Sequence, residues 1–336
     1  MRILAVGDRS SGVTYHRLAL PLSIMKKDYC LITDVISEEL LKEKQFDIVV
    51  INRFYNNEPL QTIMEWRQKY GFKLIVDIDD YWILYDQHPS QNAYRKLGIT
   101  GVITSYIRMA DLVTCTHNRL ALEIKKINPE VVVLPNGLPF DKDQFIDFKV
   151  DHEKTNIVHT GSIMHFADIK QIKSDMVKLS KSKAFVEASR MVVCGWHDYN
   201  EWHWKQIADI LTAKQKLDYQ VLNHLPVESY MNFYNEADIL IVPLLDNKFN
   251  RMKSNLKALE AGAKKIPIMT FKKQPYEDIP TCFFVDDWEK DLKRMVFSKQ
   301  MQIDYGEANA EYVRKHYDIF QINEERNAIY NKLINK

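Results

Sequence analysis

The stretch RMKSNLKALEAGAKKIPIM, Arg251 to Met269, gathers cations, one glutamate and a proline into a short space. Ser254 or a neighbour reads as a helix N-cap, because its hydroxyl can accept a backbone N–H. Leu256, Leu259 and Ala263 recur at helical spacing. Pro267 forbids continuation, and IPIM reads as a short buried strand. Arg251 and Lys253 therefore stand at or before the helix N-terminus, the unfavourable end for cations if only the helix dipole acts. The arrangement makes sense if an anion, usually a phosphate, sits between them and the free N–H groups. Lys257 lies one turn inside and Glu260 three residues beyond it. An ordinary solvated basic helix end is the alternative.

Three other stretches carry chemistry. GDRSSGVTYHR, Gly7 to Arg17, leads from a strand into a helix; Gly12 and the small polar residues let a ligand approach the backbone, and Tyr15, His16 and Arg17 fall in the first turn. It is not a GxGxxG fingerprint. DIDDYW, Asp77 to Trp82, sets three carboxylates before two aromatics. It suits a solvated turn, a divalent cation, or a sugar held by Asp79 and Asp80 with Trp82 on its ring face. Alternation puts Asp77 and Asp79 on one side and Ile78 and Asp80 on the other. HTGSIMHFAD, His159 to Asp168, makes a turn at Gly161 and Ser162, then sets His165 and Asp168 one helical turn apart.

All four stretches follow predicted strands. RILAV, CLITDVI, FDIVVIN, FKLIVDID, DLVTCT and EVVVLP alternate with helices, at Val13–Lys26 and Gln91–Met109 among others. Apolar runs of this kind indicate a parallel sheet covered on both faces. Between Pro135 and Thr155 the pattern gives way to a polar, turn-rich linker. Alternation resumes with NIVHT, RMVVCG, LDYQVLN, ADILIVPL, IPIMTF and CFFV. Helices are expected at Ala167–Lys183, Asn200–Leu211, Val227–Glu236, Ser254–Ala263 and Trp288–Lys299, and two more close the chain. Two doubly wound domains predict a site in the cleft between them, at the carboxyl ends of the strands.

Composition sets the bounds. The 336 residues favour two domains. A net charge of +1 argues against a general nucleic-acid binder. Cys30, Cys115, Cys194 and Cys282 form no CxxC pair, so neither a zinc site nor a redox dithiol is suggested. MRILAVGDRSSG reads as a strand and loop rather than a signal peptide, and no run of about 18 apolar residues occurs; a cytoplasmic, reduced protein is expected.

As a set, SGVTYHR, VDIDDYW, ADLVTCTHNRLA, VVVLPNGLPF, HTGSIMHFAD and ADILIVPLLDNKFNRMKSNLKALEAGAKKIPIM resemble the GT-B glycosyltransferases, in particular the retaining, family-four-like enzymes. The resemblance spans nearly the whole chain. It implies an α/β GT-B fold of two Rossmann-like, doubly wound parallel-sheet domains facing across a cleft. It divides the chain at 1–140 (acceptor side), 155–316 (nucleotide sugar) and 317–336, a C-terminal helix crossing back to the first domain. It also implies that Lys253 and the amides near Ser254 and Asn255 face the donor diphosphate, helped by Arg251, Lys257, Gly12, Gly161 and Ser162, and that Glu260 faces the ribose. Asp79, Asp80, His165 and Lys253 become the catalytic candidates; Tyr15, Arg17 and Trp82 lie on the acceptor side. Two departures stand out. Met252 occupies the position of the family's other glutamate, and GSIMHFAD replaces its arginine and lysine.

The function so implied is transfer of a hexosyl or pentosyl group from a nucleotide-diphosphate sugar to an acceptor hydroxyl with retention. No cofactor is required, and a divalent metal is not expected because basic residues can stabilise the leaving diphosphate. The acceptor expected is a glycan or lipid-linked glycan, or more narrowly a hydroxymethylated base in phage DNA; the Lys- and Asn-rich composition suits a phage or a low-GC bacterium. The rivals are a non-catalytic two-lobed sugar or nucleotide binder and a sugar-nucleotide epimerase.

Overall fold

The computed structural model describes residues 1–273 and 275–336. The first lobe is built on β1 (Arg2–Val6), β2 (Tyr29–Thr33), β3 (Ile48–Asn52), β4 (Lys73–Ile78), β5 (Leu112–Cys115) and β6 (Val131–Val133). The second is built on β7 (Thr155–Thr160), β8 (Ser189–Trp196), β9 (Tyr219–Asn223), β10 (Ile239–Val242), β11 (Ile268–Thr270) and β12 (Phe283–Phe284). Both sheets are parallel, in the orders β2-β1-β3-β4-β5-β6 and β12-β11-β10-β7-β8-β9. Runs such as Ile48–Ile51 are wholly buried, as strands covered on both faces must be. Strand order reverses between β1 and β3 and between β7 and β10, so each lobe opens a crevice at the carboxyl ends there.

Several helices depart from their sequence pattern. The one expected over Val13–Lys26 is α-helical at Gly12–Thr14 and Leu20–Ile24, with a π-turn over Tyr15–Ala19, where the Leu20 N–H reaches the Tyr15 carbonyl. Pro21, which has no N–H for the Arg17 carbonyl, follows directly. The helix expected over Val227–Glu236 is mostly a run of tight turns, with N–H to C=O bonds three residues apart at Ser229, Asn232, Phe233 and Tyr234. That over Ala167–Lys183 breaks after Lys170, and that over Gln91–Met109 breaks at Gly98, whose φ is 64°.

The lobes are joined by more than a linker. Leu138, Phe140 and Phe145 of the polar-looking segment pack into the core of the second lobe. The C-terminal helix Ile319–Ile334 returns to the first lobe, with Tyr330 and Leu333 in one cluster with Ile3 and Leu22, and Asn323 Nδ2 donates to the Pro21 carbonyl at 2.8 Å. In the opposite direction, Phe249 and Met252 of the second lobe enter the core of the first.

Candidate functional site

The ends of β1 and β7 face each other across a cavity of about 660 Å³, inside the range of roughly 300–1,000 Å³ common for small-molecule sites. Ser11, Gly12 and His16 form part of one wall; Gly161, Lys257 and Glu260 form part of the other. Gly195 presses the end of β8 against this wall. Its φ is 97°, and a Cβ there would meet the Gly161 carbonyl oxygen at 2.7 Å, so only glycine fits.

Glu260 is the hub of the cavity. It lies in the helix Leu256–Ala263 and is 4 % exposed. The Tyr230 hydroxyl donates to its Oε1 at 2.6 Å, and the Tyr234 hydroxyl donates to its Oε2. Thr160 Oγ1 lies 3.2 Å from the Tyr234 hydroxyl, and Lys257 Nζ donates to Thr160 Oγ1 at 2.8 Å and to the Thr160 carbonyl at 2.6 Å. From the other lobe, His16 Nε2 reaches the Tyr230 hydroxyl at 2.7 Å. Burial pushes the Glu260 carboxyl up, while Lys257 and the two tyrosines pull it back; burial pushes Lys257 down, opposed by Glu260. One carboxylate thus organises groups from both sheets.

The helix carrying Glu260 starts two residues after the expected cap. Asn255 precedes it without a side-chain cap and gives its Nδ2 to the Tyr317 hydroxyl at 2.8 Å instead. The first-turn amides therefore lack a side-chain partner at a helix end that favours anions. Ser254 and Lys257 line the cavity, but Lys253 and Arg251 are not on its wall. Lys253 Nζ stands 3.6 Å from Asp80 of the first lobe. Arg251 belongs to the short helix Lys248–Arg251, is exposed, and donates to Asp246 at 2.6 Å; the turn between that helix and Leu256 aims it away from the cavity. Arg251 thus stands outside the cavity wall in this arrangement.

The three carboxylates of DIDD diverge. Asp77 is buried, takes two bonds from Arg17 at 2.9 and 2.8 Å, and accepts from Thr114 at 2.6 Å. Arg17 also donates to the Leu134 carbonyl at 2.8 Å and to Asn136 at 3.0 Å. It ties the sheet to the start of the inter-lobe segment, so its donors are already engaged rather than open to an acceptor. Asp79 lines the cavity and takes a two-pronged contact from Arg53 at 2.6 and 2.5 Å. Burial alone would raise its pKa, but the Arg53 guanidinium outweighs that and holds it below the usual range. Arg53 adopts a φ of 59°, an unusual backbone for a non-glycine residue. Asp77 is taken up by Arg17, Asp79 by Arg53, and Asp80 stands between Arg53 and Lys253; no group of three metal-ligating side chains forms among the described residues. Trp82 is 4 % exposed, donates to Thr104 at 3.0 Å, and is a core residue; its ring face is not open to a sugar. Tyr15 is half-buried, and its hydroxyl accepts from Gln144 at 2.9 Å.

His165 is oriented by Asp168 at 2.8 Å, and Asp168 also accepts from the Leu245 amide at 2.9 Å and Asn250 at 2.7 Å. The pair thereby pins the loop after β10 to the turn after β7. Burial lowers the His165 pKa against the pull of Asp168. Ser162 caps the turn from the cavity wall. Three residues that the sequence reading left out line the cavity, Tyr230, Tyr234 and Thr160, and Arg53 holds Asp79 in place. Tyr230 and Tyr234 stand four apart in VESYMNFYNEAD, a spacing that core packing produces equally well.

Among the described residues, no helix is long and apolar enough to cross a membrane. By sequence, the chain matches no protein-family model and no curated protein. Among solved structures it is similar to the sucrose-phosphate synthase of Thermosynechococcus elongatus, with a TM-score of 0.71 at 12 % identity over 99 % of both chains. It is similar to HepE of Anabaena, solved with UDP-glucose, with a TM-score of 0.65 at 10 % identity over 99 % of this chain and 100 % of that one. A third is WaaG, a glycosyltransferase of lipopolysaccharide biosynthesis, with a TM-score of 0.63 at 13 % identity over 98 % and 99 %. The chain has the two-lobed GT-B fold.

Proposed function

We propose that the protein is a glycosyltransferase that takes a sugar from a nucleotide-diphosphate donor held in the inter-lobe cavity. The observation that carries this reading is the pairing of Glu260 with the uncapped start of its own helix on one wall of that cavity. The amides of the first helical turn, with Lys257, offer the diphosphate preorganised positive charge where the leaving group develops its own. Glu260 has lone pairs beyond those used by Tyr230 and Tyr234, and these suit ribose hydroxyls. Gly12, Gly161 and Ser162 allow close approach to backbone. HepE is solved with UDP and with UDP-glucose, which makes uridine nucleotides the first donors to try.

Asp79, on the cavity wall and held by Arg53, is the group of the first lobe that would orient a hydroxyl. In a retaining course the donor phosphate itself can take the acceptor proton, so no protein base is required. Such a course needs no metal, because the amides and Lys257 supply the charge. The acceptor follows as a glycan, lipid-linked glycan or modified DNA base, in that order of preference given the near-neutral net charge of +1. Release of free nucleoside diphosphate from a sugar-nucleotide panel, with thermal stabilisation by the same compound, tests the function. A compound that stabilises the fold and is never turned over, with any acceptor, would instead make the protein a binder.

A further inference from the structure

We propose that His197 selects the base of the bound nucleotide, its Nε2–H donating to a ring carbonyl of uracil or guanine; the assignment rests on the donor reading above. The loops after β8 and β9 give His197, Tyr199 and His224 to the same cavity that Glu260 lines. All three residues are exposed, Tyr199 by 87 %, so a ligand in the cavity can reach them. The His224 N–H donates to the Trp196 carbonyl at 2.7 Å, which ties the two loops together. Trp196 in turn stacks on the buried Trp204, with 6.1 Å between centroids and 29° between planes. The exposed rings are thus mounted on packed side chains.

Local backbone geometry sets the state of the His197 ring. His197 precedes the short helical turn Asp198–Asn200, and its Nδ1 accepts the Tyr199 N–H at 3.3 Å. A ring nitrogen that accepts carries no hydrogen, so the hydrogen sits on Nε2, on the far side of the ring. That N–H has no hydrogen-bond partner among the described residues. The rings of His224 and Tyr199 stand at 77° and 85° to His197, with centroids 5.6 and 6.5 Å away, so neither lies flat upon it. Open ring faces take a planar base, but stacking accepts every base alike. Choice between bases needs a hydrogen bond to an edge, and a fixed donor demands an acceptor there. Adenine alone among the common bases has no ring carbonyl. The order of groups along a sugar nucleotide agrees. Transfer turns the sugar toward the first lobe, where Asp79 stands; with the ribose at Glu260, the loops of the second lobe are left for the base.

The test uses the full chain with UDP, GDP and ADP as probes in calorimetry, since these differ in the base alone. The tighter of UDP and GDP should bind wild type about tenfold more strongly than ADP, the worth of one hydrogen bond. His197→Asp keeps an acceptor for the Tyr199 N–H and removes the donor. His197→Phe keeps a ring and removes both. Each variant should retain the melting temperature, because the residue is exposed, and should bind the preferred probe about tenfold more weakly while ADP loses nothing. His197→Asp decides the matter if His197→Phe disturbs the loop. ADP binding wild type as tightly as UDP and GDP overturns the role of His197 while the donor reading stands. So does an Asp variant that weakens all three probes equally, or none. Failure of all three to bind wild type overturns the donor reading, and the role of His197 with it.

Discussion

Asp80 and Lys253, one from each lobe, stand 3.6 Å apart. Arg53 shares Asp80 at 3.6 Å, and Lys253 lies over the Phe249 ring at 4.7 Å from its centroid. A half-buried ion pair of this sort adds on the order of 1 kcal/mol or less to stability. Its effect should appear in the relation of the lobes. Lys253→Ala is expected to leave the melting temperature within a few degrees and to enlarge the radius of gyration in small-angle scattering, with lower turnover. The exchanged pair Asp80→Lys with Lys253→Asp should restore compactness in part. Unchanged scattering in the single variant would remove the pair from any part in closure.

Phe249 closes the lobes by packing instead of by charge. Its ring lies 5.0 Å from that of His88 and 6.0 Å from that of Tyr85, and it is 7 % exposed within the first-lobe core. Phe249→Ala is expected to cost about 3–5 kcal/mol if the lobes unfold as one unit. Two separate calorimetric transitions in the variant, against one in wild type, would show that the ring couples them. A loss under about 1 kcal/mol with a single transition would mean that the contact is incidental.

Tyr234 is wholly buried and donates to Glu260. Tyr234→Phe leaves one carboxylate oxygen without its donor, at a cost of about 1–3 kcal/mol. Glu260→Gln should raise the donor KM, because the ribose hydroxyls lose an anionic acceptor. If Glu260→Gln lowers only the melting temperature and binds donor like wild type, the carboxylate is a structural hub alone.

His159 is 3 % exposed, and burial, aided by Lys257, lowers its pKa to about 3. The unfolded chain takes up a proton near pH 6.5 that the folded chain refuses. Stability from this group is therefore complete above pH 6.5 and declines as pH falls toward 3. The loss from pH 6.5 to 4.5 is roughly 2 kcal/mol. His159→Gln, measured by denaturant titration at several pH values, should flatten the curve by that amount. An identical slope in the variant would mean that the imidazole is already charged in the native state.

The strands were legible because a strand buried on both faces must be an apolar run, as IVVI in β3 and ILIV in β10 are. The cleft followed from the strand–helix alternation of both halves. Side-chain destinations were not legible. DIDD shows three carboxylates but not the arginines, Arg17 and Arg53, that separate them from 60 and 26 residues away. Arg251 and Lys253 looked equivalent in RMKSN, yet one meets Asp246 on its own lobe and the other Asp80 on the opposite one. The inter-lobe segment read as polar because Leu138, Phe140 and Phe145 are too sparse to form a period.

The π-turn over Tyr15–Ala19 sets the angular phase of the first lobe's leading helix. An α-helix rotates about 100° per residue, so three successive residues cannot all face inward. His16, Arg17 and Leu18 nevertheless are all buried, the first against Tyr230, the second on Asp77, the third in the core. The widened turn absorbs one extra residue and lets hydrophobic packing downstream keep its phase while His16 and Arg17 keep theirs. Removing a single residue, Ala19, would return the segment to a uniform helix. Either Leu18 and Leu22 would rotate out of the core, or His16 would swing away from the opposite lobe, so the length of this one turn couples the packing of a helix to the contact between two domains.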